Sequence, residues 1–431
     1  MASQLTATQT ATQAATRGVP RLRWWFIAVP LVIIVIIGQI DKVSISVVIA
    51  NSRFLQDLHM VGRPAVLGLV MTGFFAVYAP CQFLWGYLIR KYGPRKCATA
   101  GLIIWGCMLV LSGAAQSIGS LIFARCVLGA GEAFLTPVAH AFVANWFPLN
   151  ERGRATAAWL QGMTVSQVIS GPLVVGLIAA GDWRLVFYAL SALSIIIPVP
   201  LAFFLMKDKP RLHSRITEAE VNYIEAGSLA KSKQVPASGT KSKGVFTNSN
   251  LWLITAAWCG HGMFFYGWTT WMPTYFLKAR HFKFSTAGYL YSLSFLFVLF
   301  AVFLVSYISD KIMRRAPFAA VGFMIGGILI YVGGNVIVNP YSALAVLIVA
   351  LCCIQPCITM LQSLLHSVIP EHSIGVASGV AAAVSSGVAA IAPVMAGFLL
   401  QISGFGAVII YLGASAFGAG VIAVVLWARG Y

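Results

Sequence analysis

Four ionisable side chains, Asp41, Lys42, Arg125 and Glu132, lie inside long apolar runs of this 431-residue sequence. A guanidinium keeps its charge, and its planar fork matches a carboxylate in a two-point contact. The two carboxyl groups can each take up a proton, and burial favours their neutral form. Residues of these types, set in apolar surroundings, can bind an anion and carry protons.

The spacing of the four residues leaves two interpretations open. Arg125 and Glu132 are seven residues apart, so they share one face of a helix about two turns apart. Asp41 and Lys42 are neighbours, so they point in directions roughly 100° apart. One interpretation is a binding and proton-carrying site. The other is a permanent salt-bridge network, for example Glu132 with Arg125 and Asp41 with Lys42, and a transport cycle can make and break the same pairs.

The composition indicates whether this chain folds in water or in a membrane. Hydrophobic residues make up 59% of the sequence and charged residues only 9%. A soluble protein of this size carries about a quarter charged residues. A central charge in a membrane helix costs roughly 2.5–3.5 kcal/mol even on the forgiving insertion scale. The composition therefore indicates a membrane protein, in which four buried charges are expensive and are expected to be functional.

Apolar runs of roughly 20 residues, the length that crosses a bilayer, occur about twelve times. We predict an all-α polytopic membrane protein with twelve transmembrane helices in two six-helix bundles. The predicted segments are a tail at 1–23, a first bundle at 24–206, a linker at 207–250, a second bundle at 251–428 and a C-terminus at 429–431. Duplicated bundles favour a site between them near the midplane. The linker is either disordered or holds a short interfacial helix from about Thr217.

The basic residues are unevenly distributed. Of the 29 Lys and Arg residues, 21 fall in the two termini and the connections on the same side, six on the opposite side and two within spans. This asymmetry follows the positive-inside rule and predicts cytoplasmic termini in a cell inner (plasma) membrane. The net charge of +18 is therefore attributed to orientation in the lipid bilayer, and no nucleic acid is expected as a partner.

The sequence lacks the short motifs of other functional classes. No H-E-x-x-H, G-x-S-x-G or G-x-x-x-x-G-K-[ST] pattern occurs, which argues against an enzyme and against an ATP-driven pump. Most of the eight cysteines fall inside spans without metal-ligand spacing, so they are interpreted as small core residues. We expect no cofactor, no metal and a functional monomer.

Several motifs resemble those of the major facilitator superfamily, in particular its anion:cation symporter branch. Arg125, Gly129 and Glu132 match R-x-x-x-G-x-x-E in the fourth span, and Asp41-Lys42 matches an Asp-Arg pair in the first. The sequence WFPLNERGRA at 146–155, GDWRLVF at 181–187 and WMPTY at 271–275 match further motifs of the branch. The resemblance covers most of the chain and implies a twelve-helix transporter of hexuronates, galactonate, glucarate or aromatic acids.

The resemblance also implies roles for individual residues. Asp41 and Glu132 are expected to couple transport to protons. The resemblance implies Arg125, Lys42 and Tyr78 at the substrate site, and Gln167 and Ser386 stand near positions where the branch often has amide side chains. Thr359 and Gln362 lie on a polar stripe of the tenth span, which either hydrogen-bonds substrate hydroxyls or bonds neighbouring helices. Tyr78 belongs to a Y-x-x-x-Q pattern in the second span. Gln167 lies near the place in the fifth span where the branch often has a glutamine.

One departure from the branch concerns the loop between the second and third spans, where Arg90 stands at the place of the usual Asp. A related stretch at 309–315 in the second half keeps its acid, Asp310.

The predicted function is proton-coupled symport of a small organic anion, first a sugar acid of the hexuronate, aldonate or aldarate type. An aromatic or short carboxylate, or a facilitator or exporter without proton coupling, remains the alternative.

Overall fold

The computed structural model describes residues 21–232, 247–312, 315–369 and 374–430, and these residues form helices and turns without any β-strand. The all-α prediction is confirmed. Most of the predicted tail at 1–23, the middle of the linker at 207–250 and part of the 309–315 stretch lie outside the described residues.

The first half of the chain contains six membrane helices. They are α1 (Trp24–Val48), α2 (Pro64–Tyr92), α3 (Pro94–Gly113), α4 (Ile118–Trp146), α5 (Leu149–Ala180) and α6 (Trp183–Leu205). Proline at the first helical position begins α2 and α3, where a missing N–H costs nothing. Helix α4 is interrupted between its segments Ile118–Glu132 and Leu135–Trp146, so the helix breaks directly after the buried acid.

The second half repeats this arrangement. It contains α7 (Ser249–Lys278), α8 (Phe284–Ile312), α9 (Arg315–Val336), α10 (Pro340–Val368) and α11, which begins at Ile374–Ala389 and continues into Ala392–Ala428. Gly404, with φ 75°, bends that last helix, and α12 is the part after it.

Ten described helices are long and apolar enough to cross a membrane. One of them, Ala377–Ala428, contains both α11 and α12 on either side of Gly404. Helix α7 is long enough but is not among these ten, because its several Trp, Thr and Tyr residues lower its hydropathy. Together these give the twelve predicted spans.

The helices of each half pack mainly against each other, and three pairs connect the halves: α1 with α7, α2 with α11, and α5 with α8. An even number of spans places the ends of the chain and the linker on one side, called here the terminal side. The other side is called the distal side.

On the distal side the two halves are in close contact through glycines. A Cβ at Gly68 would lie 2.5 Å from the carbonyl oxygen of Pro393, and one at Gly171 would overlap the carbonyl oxygen of Gly288. The Gly171 amide donates a hydrogen bond to Ser292 Oγ across the same contact, at 3.0 Å. We call these contacts the distal seam. Only residues without a side chain allow the helices to approach this closely, so the seam closes the distal side.

On the terminal side, part of the linker folds as a helix, Glu218–Ser232. Arg23, which precedes α1, is buried between Glu151 and Glu220, with N–O distances of 2.8 Å to each carboxylate. Its guanidinium lies over the ring of Tyr223, 5.0 Å from the ring centre. Buried ion pairs of this kind fix the linker helix to the first bundle.

The loop between α2 and α3, in which Arg90 departs from the family pattern, is held by another acid. Asp208, just after α6, accepts a 2.7 Å hydrogen bond from the Arg95 amide at the start of α3. It lies against Gly93, where a Cβ would be 2.8 Å from its Oδ2. Arg90 itself is exposed. Asp208, just after α6, thus supplies the negative charge that stabilises the N-terminus of α3.

Candidate functional site

The four buried charges meet between α1 and α4, and they pair crosswise. Asp41 Oδ1 lies 3.4 Å from Arg125 Nη1, and Glu132 Oε1 lies 3.0 Å from Lys42 Nζ. Each pair therefore joins the two helices. Neither of the pairings suggested by sequence proximity, Glu132 with Arg125 or Asp41 with Lys42, is present.

Glycines leave space for Glu132, which ends the first segment of α4. Gly38 lies one turn before Lys42 on α1, and a Cβ there would be 3.2 Å from Glu132 Oε1. Gly129, the middle residue of the R-x-x-x-G-x-x-E pattern, faces the carbonyl of Phe74, which a Cβ would overlap. The two glycines bring α1 and α2 against α4, and this explains the glycine of the motif in physical terms.

The hydrogen bonding of this cluster is incomplete. Asp41 Oδ2, Arg125 Nε and Arg125 Nη2 are buried without hydrogen-bond partners in the described part of the chain. Glu132 has only its ion pair, since neither of its oxygens accepts a well-aligned hydrogen bond. A buried charge with one partner and unused hydrogen-bonding capacity is costly, so a proton or an ion that completes the set is stabilised here.

The two cations have different surroundings. Arg125 is 1% exposed and its guanidinium lies over the ring of Phe187 of α6, 5.0 Å from the ring centre, inside the first bundle. The Lys42 side chain is 11% exposed, and its ammonium lies 4.5 Å from the ring centre of Tyr78. Lys42 is therefore the cation of the cluster that is nearer to the interface between the bundles.

The second bundle reaches this cluster through an aromatic residue of α7. The ring of Tyr266 stacks on Phe75 of α2 with a centroid distance of 4.2 Å and an interplanar angle of 9°. The Tyr266 phenol lies near Lys42 and near the Ser386 hydroxyl of α11. Tyr266 is not among the residues that the sequence analysis selected. Its position in the middle of α7 was the available signal.

The other predicted site residues divide into two groups. Tyr78 and Ser386 lie at the cluster, as described, and Gln362 lines a cavity on its terminal side. Gln167 is buried in the distal seam, where its Oε1 accepts a 2.6 Å hydrogen bond from the Tyr291 hydroxyl of α8. The Thr359 hydroxyl donates a 2.7 Å hydrogen bond to the Pro356 carbonyl within α10. The predicted residues are therefore not all brought together.

A cavity of about 710 Å³ lies between the bundles. Helices α2, α4 and α5 of the first bundle and α7, α10 and α11 of the second contribute its walls. The residues that line it are Gln82, Phe83, Thr136, Pro137, His140, Thr156, Trp159, Leu160, Met163, Trp258, Gln362, Leu365, Ser378, Gly379, Ala382 and Ala383. Gln82 lies one turn from Tyr78 on α2, toward the terminal side. With the distal seam closed, this cavity approaches the Lys42–Glu132 pair from the terminal side.

Two helical bundles around a central cavity that is closed on one side form the architecture of a secondary transporter. The sequence profile of the Major Facilitator Superfamily matches residues 31–393, and the chain belongs to that superfamily. The relatives that follow are named as transporters, not as enzymes.

The chain is 32% identical over 279 residues to a protein named probable sulfoacetate transporter SauU of Cupriavidus necator, a match that covers 65% of this chain and 63% of the relative. It therefore spans less than two thirds of that relative's length. The D-galactonate transporter of Escherichia coli O6:H1 is 25% identical over 411 residues, 92% of this chain and 94% of the relative. The probable galactarate/D-glucarate transporter GudP of Bacillus subtilis is 27% identical over 418 residues, 92% and 90% of the two chains.

Among solved structures, a bacterial homologue of the human lysosomal transporter Spinster in an inward-facing and unoccupied conformation is similar to this chain, with a TM-score of 0.74. The two chains are 18% identical, and the match covers 95% of this chain and 96% of that one. This likeness supports the twelve-helix fold.

Proposed function

We propose that this chain is a proton-coupled symporter of a small organic anion, a sugar acid of the hexuronate, aldonate or aldarate type, and that it works by alternating access. The observation that carries the proposal is the Lys42–Glu132 ion pair, 3.0 Å long, at the boundary between the two bundles. The names of the full-length relatives, which refer to galactonate and to galactarate or glucarate, support the substrate class.

The ion pair couples the two ligands through charge. While Glu132 is ionised, it neutralises Lys42, and an anion gains little by approaching. Protonation of Glu132 removes that counter-charge, and the ammonium then attracts the substrate carboxylate. An anion and a proton thus each favour the binding of the other, which is the thermodynamic requirement of symport.

The Asp41–Arg125 pair supports this exchange from inside the first bundle. Arg125 keeps its charge throughout, so its field acts on both carboxyl groups of the cluster. We assign Asp41 as the second proton-coupling group. We assign Arg125 to the substrate site chiefly through its charge, because Phe187 covers its face and its fork is directed at Asp41.

Contacts from both bundles complete the proposed substrate site. Tyr78 supplies a ring and a hydroxyl from the first bundle, and Ser386 lies across the interface beside Tyr266. Gln362 and Thr359 extend the site along α10. Gln167 has a free amide nitrogen to donate, since its oxygen is occupied by Tyr291. A site between bundles changes its access when the bundles rock against each other.

The proposed setting is the cell inner membrane, with both termini in the cytoplasm. The excess of Lys and Arg on the terminal side supports this orientation. The distal side is then the outside, and the cavity faces the cytoplasm. We further propose that the single chain is the functional unit, since each half supplies one wall of the cavity.

The proposal is tested with purified protein in proteoliposomes under a pH gradient, with D-galactonate and D-galactarate as probes. The wild type is expected to accumulate at least one of them. Glu132→Gln is expected to lose accumulation at least tenfold while it keeps exchange between the two faces. Glu218→Gln, the same change at an exposed position of the linker helix, serves as the control. Accumulation by Glu132→Gln at the wild-type level under the gradient would exclude the proton role.

A short carboxylate is the second candidate substrate. The 32% identical relative is named a probable sulfoacetate transporter. Sulfoacetate is therefore added to the same assay. Accumulation of sulfoacetate without either sugar acid would transfer the assignment to this class and leave the charge mechanism unchanged.

A further inference from the structure

A second, smaller concavity lies between the bundles on the distal side, outside the distal seam. It has a volume of about 260 Å³ and is formed by the ends of α1, α7 and α11 and the start of α2. We call it the distal depression. Trp271, Thr274 and Leu67 contribute to its walls, and Arg63, Lys278 and Gln401 contribute polar side chains.

The charges of the distal depression are unbalanced. Among the distal basic residues, Arg184 pairs with Asp57 at 2.7 Å, and Arg280 donates hydrogen bonds to backbone carbonyls that include Gly333 at 2.7 Å. The side chains of Arg63 and Lys278 make no ion pair or hydrogen bond within the described part of the chain. No acid is present among the described residues that line the depression. Two exposed cations, one from each bundle, therefore line one concavity without a counter-ion among the described residues.

A buried polar group in the same place also lacks a partner. Thr274 is 3% exposed, and its enclosed hydroxyl oxygen has no hydrogen-bond partner among the residues that the structure describes. A buried hydroxyl normally finds a partner, so this orphan in the wall of the depression is a group that a ligand or a water molecule would satisfy once the side chain turns toward it. Gln401, which also lines the depression, offers an amide.

We propose that the distal depression is a second binding site, separate from Lys42, for the carboxylate of a small organic anion. The identity of the anion rests on the proposed function, whereas the site rests on the distal residues alone. A concave, low-dielectric wall concentrates the field of the two cations and raises the local concentration of anions. An anion that arrives from the distal side meets this site first, while the seam beneath it is closed.

The site is tested by binding to the purified full-length protein with Lys42→Ala, which disables the central site. Isothermal titration with D-galactonate is expected to show weak residual binding. Addition of Arg63→Gln and Lys278→Gln is expected to lower that residual affinity at least tenfold. Thr274→Val, which keeps shape and charge, is expected to lower it severalfold, because the hydroxyl contact is lost.

The matched control is Arg53→Gln with Lys283→Gln, which removes the same charges at distal positions that do not line the depression. Equal losses in both double variants would reduce the effect to surface charge and overturn the site, as would the absence of residual binding. Inorganic phosphate that binds as tightly as D-galactonate would overturn the assignment to an organic acid. If the charge variants do not purify as monodisperse protein, the effect of Thr274→Val on the residual D-galactonate affinity decides the test. Unchanged D-galactonate affinity in Lys42→Ala alone would contradict the proposed function instead.

Discussion

Replacing Gly171 by alanine is expected to shift the protein away from the state in which the distal seam is closed. The added Cβ would overlap the Gly288 carbonyl oxygen and lie 2.5 Å from Ser292 Oγ, nearly 1 Å inside ordinary contact. Both obstacles belong to α8, in the opposite bundle. Helices α5 and α8 must therefore separate by about 1 Å, and overpacking of this kind costs about 1–3 kcal/mol.

That cost applies only while the seam is closed, so it enters directly into the equilibrium between closed and open distal sides. A change of about 1–3 kcal/mol corresponds to a population shift of roughly 5- to 150-fold. The shift can be measured as the distance between spin labels at Ala179 and Ser285, two exposed positions on opposite bundles, by double electron–electron resonance. The longer distance is expected to gain population, and the turnover of transport is expected to fall.

Gly176→Ala is the control, because it lies on the same helix and a Cβ there meets nothing within 4 Å. Both variants gain the same helix propensity, about 1 kcal/mol at a glycine. Their difference therefore isolates the contact with α8. Identical distance distributions in the two variants would show that the glycine contact does not determine the closure of the seam.

Three further predictions concern the charge cluster and the linker. Arg125→Gln leaves Asp41 buried without its partner and is expected to destabilise the protein by about 3–5 kcal/mol. The double variant with Asp41→Asn is expected to recover part of that loss. Equal unfolding temperatures in the single and double variants would contradict the pairing. Gly38→Val pushes a side chain toward Glu132 and is expected to raise the substrate KM with unchanged folding, and a wild-type KM would refute this. Burial depresses the pKa of His213, so the folded state binds its proton less well than the unfolded chain, and stability is lost as the pH falls below about 6.5. The His213→Gln variant should show a flatter dependence of the unfolding temperature on pH between about pH 5 and 8. Parallel curves for the variant and the wild type would exclude the assignment.

Hydropathy was sufficient to predict most of the fold. Long apolar runs have few alternatives to membrane helices, because backbone polar groups must be paired within lipid. Two parts of the chain are harder to delimit as separate spans from hydropathy alone, each for a local reason. Helix α7 is rich in Trp, Thr and Tyr, and the bend at Gly404 joins two spans into one continuous helix. Neither changes the count of twelve, since turn and charge signals separate these spans.

The candidate site was only partly predictable. That Asp41, Lys42, Arg125 and Glu132 belong together follows from the cost of isolated charges in lipid. Which acid pairs with which base does not, because the choice depends on how α1 and α4 are rotated about their axes. The crosswise pairing arises from Gly38, which gives Glu132 access to Lys42.

Residues on the opposite bundle were harder to predict than those on one helix. Spacing within a helix shows which residues share a face, but it contains no information on what that face contacts. Tyr266 reaches the cluster only because α7 packs against α1. Gln167, chosen by its position in the fifth span, is engaged by Tyr291 in the distal seam. Both outcomes depend on contacts between residues more than 100 positions apart.

The buried position of Arg23 has a practical consequence for spectroscopic work. Because Glu151 and Glu220 hold this arginine from two directions, the segment from Glu218 to Tyr223 is fixed to the first bundle. A fluorophore on an exposed residue of that segment, such as Asn222, would report the orientation of the first bundle without any label inside the lipid. Paired with a second dye near Arg429, it would turn rocking of the halves into an energy-transfer signal.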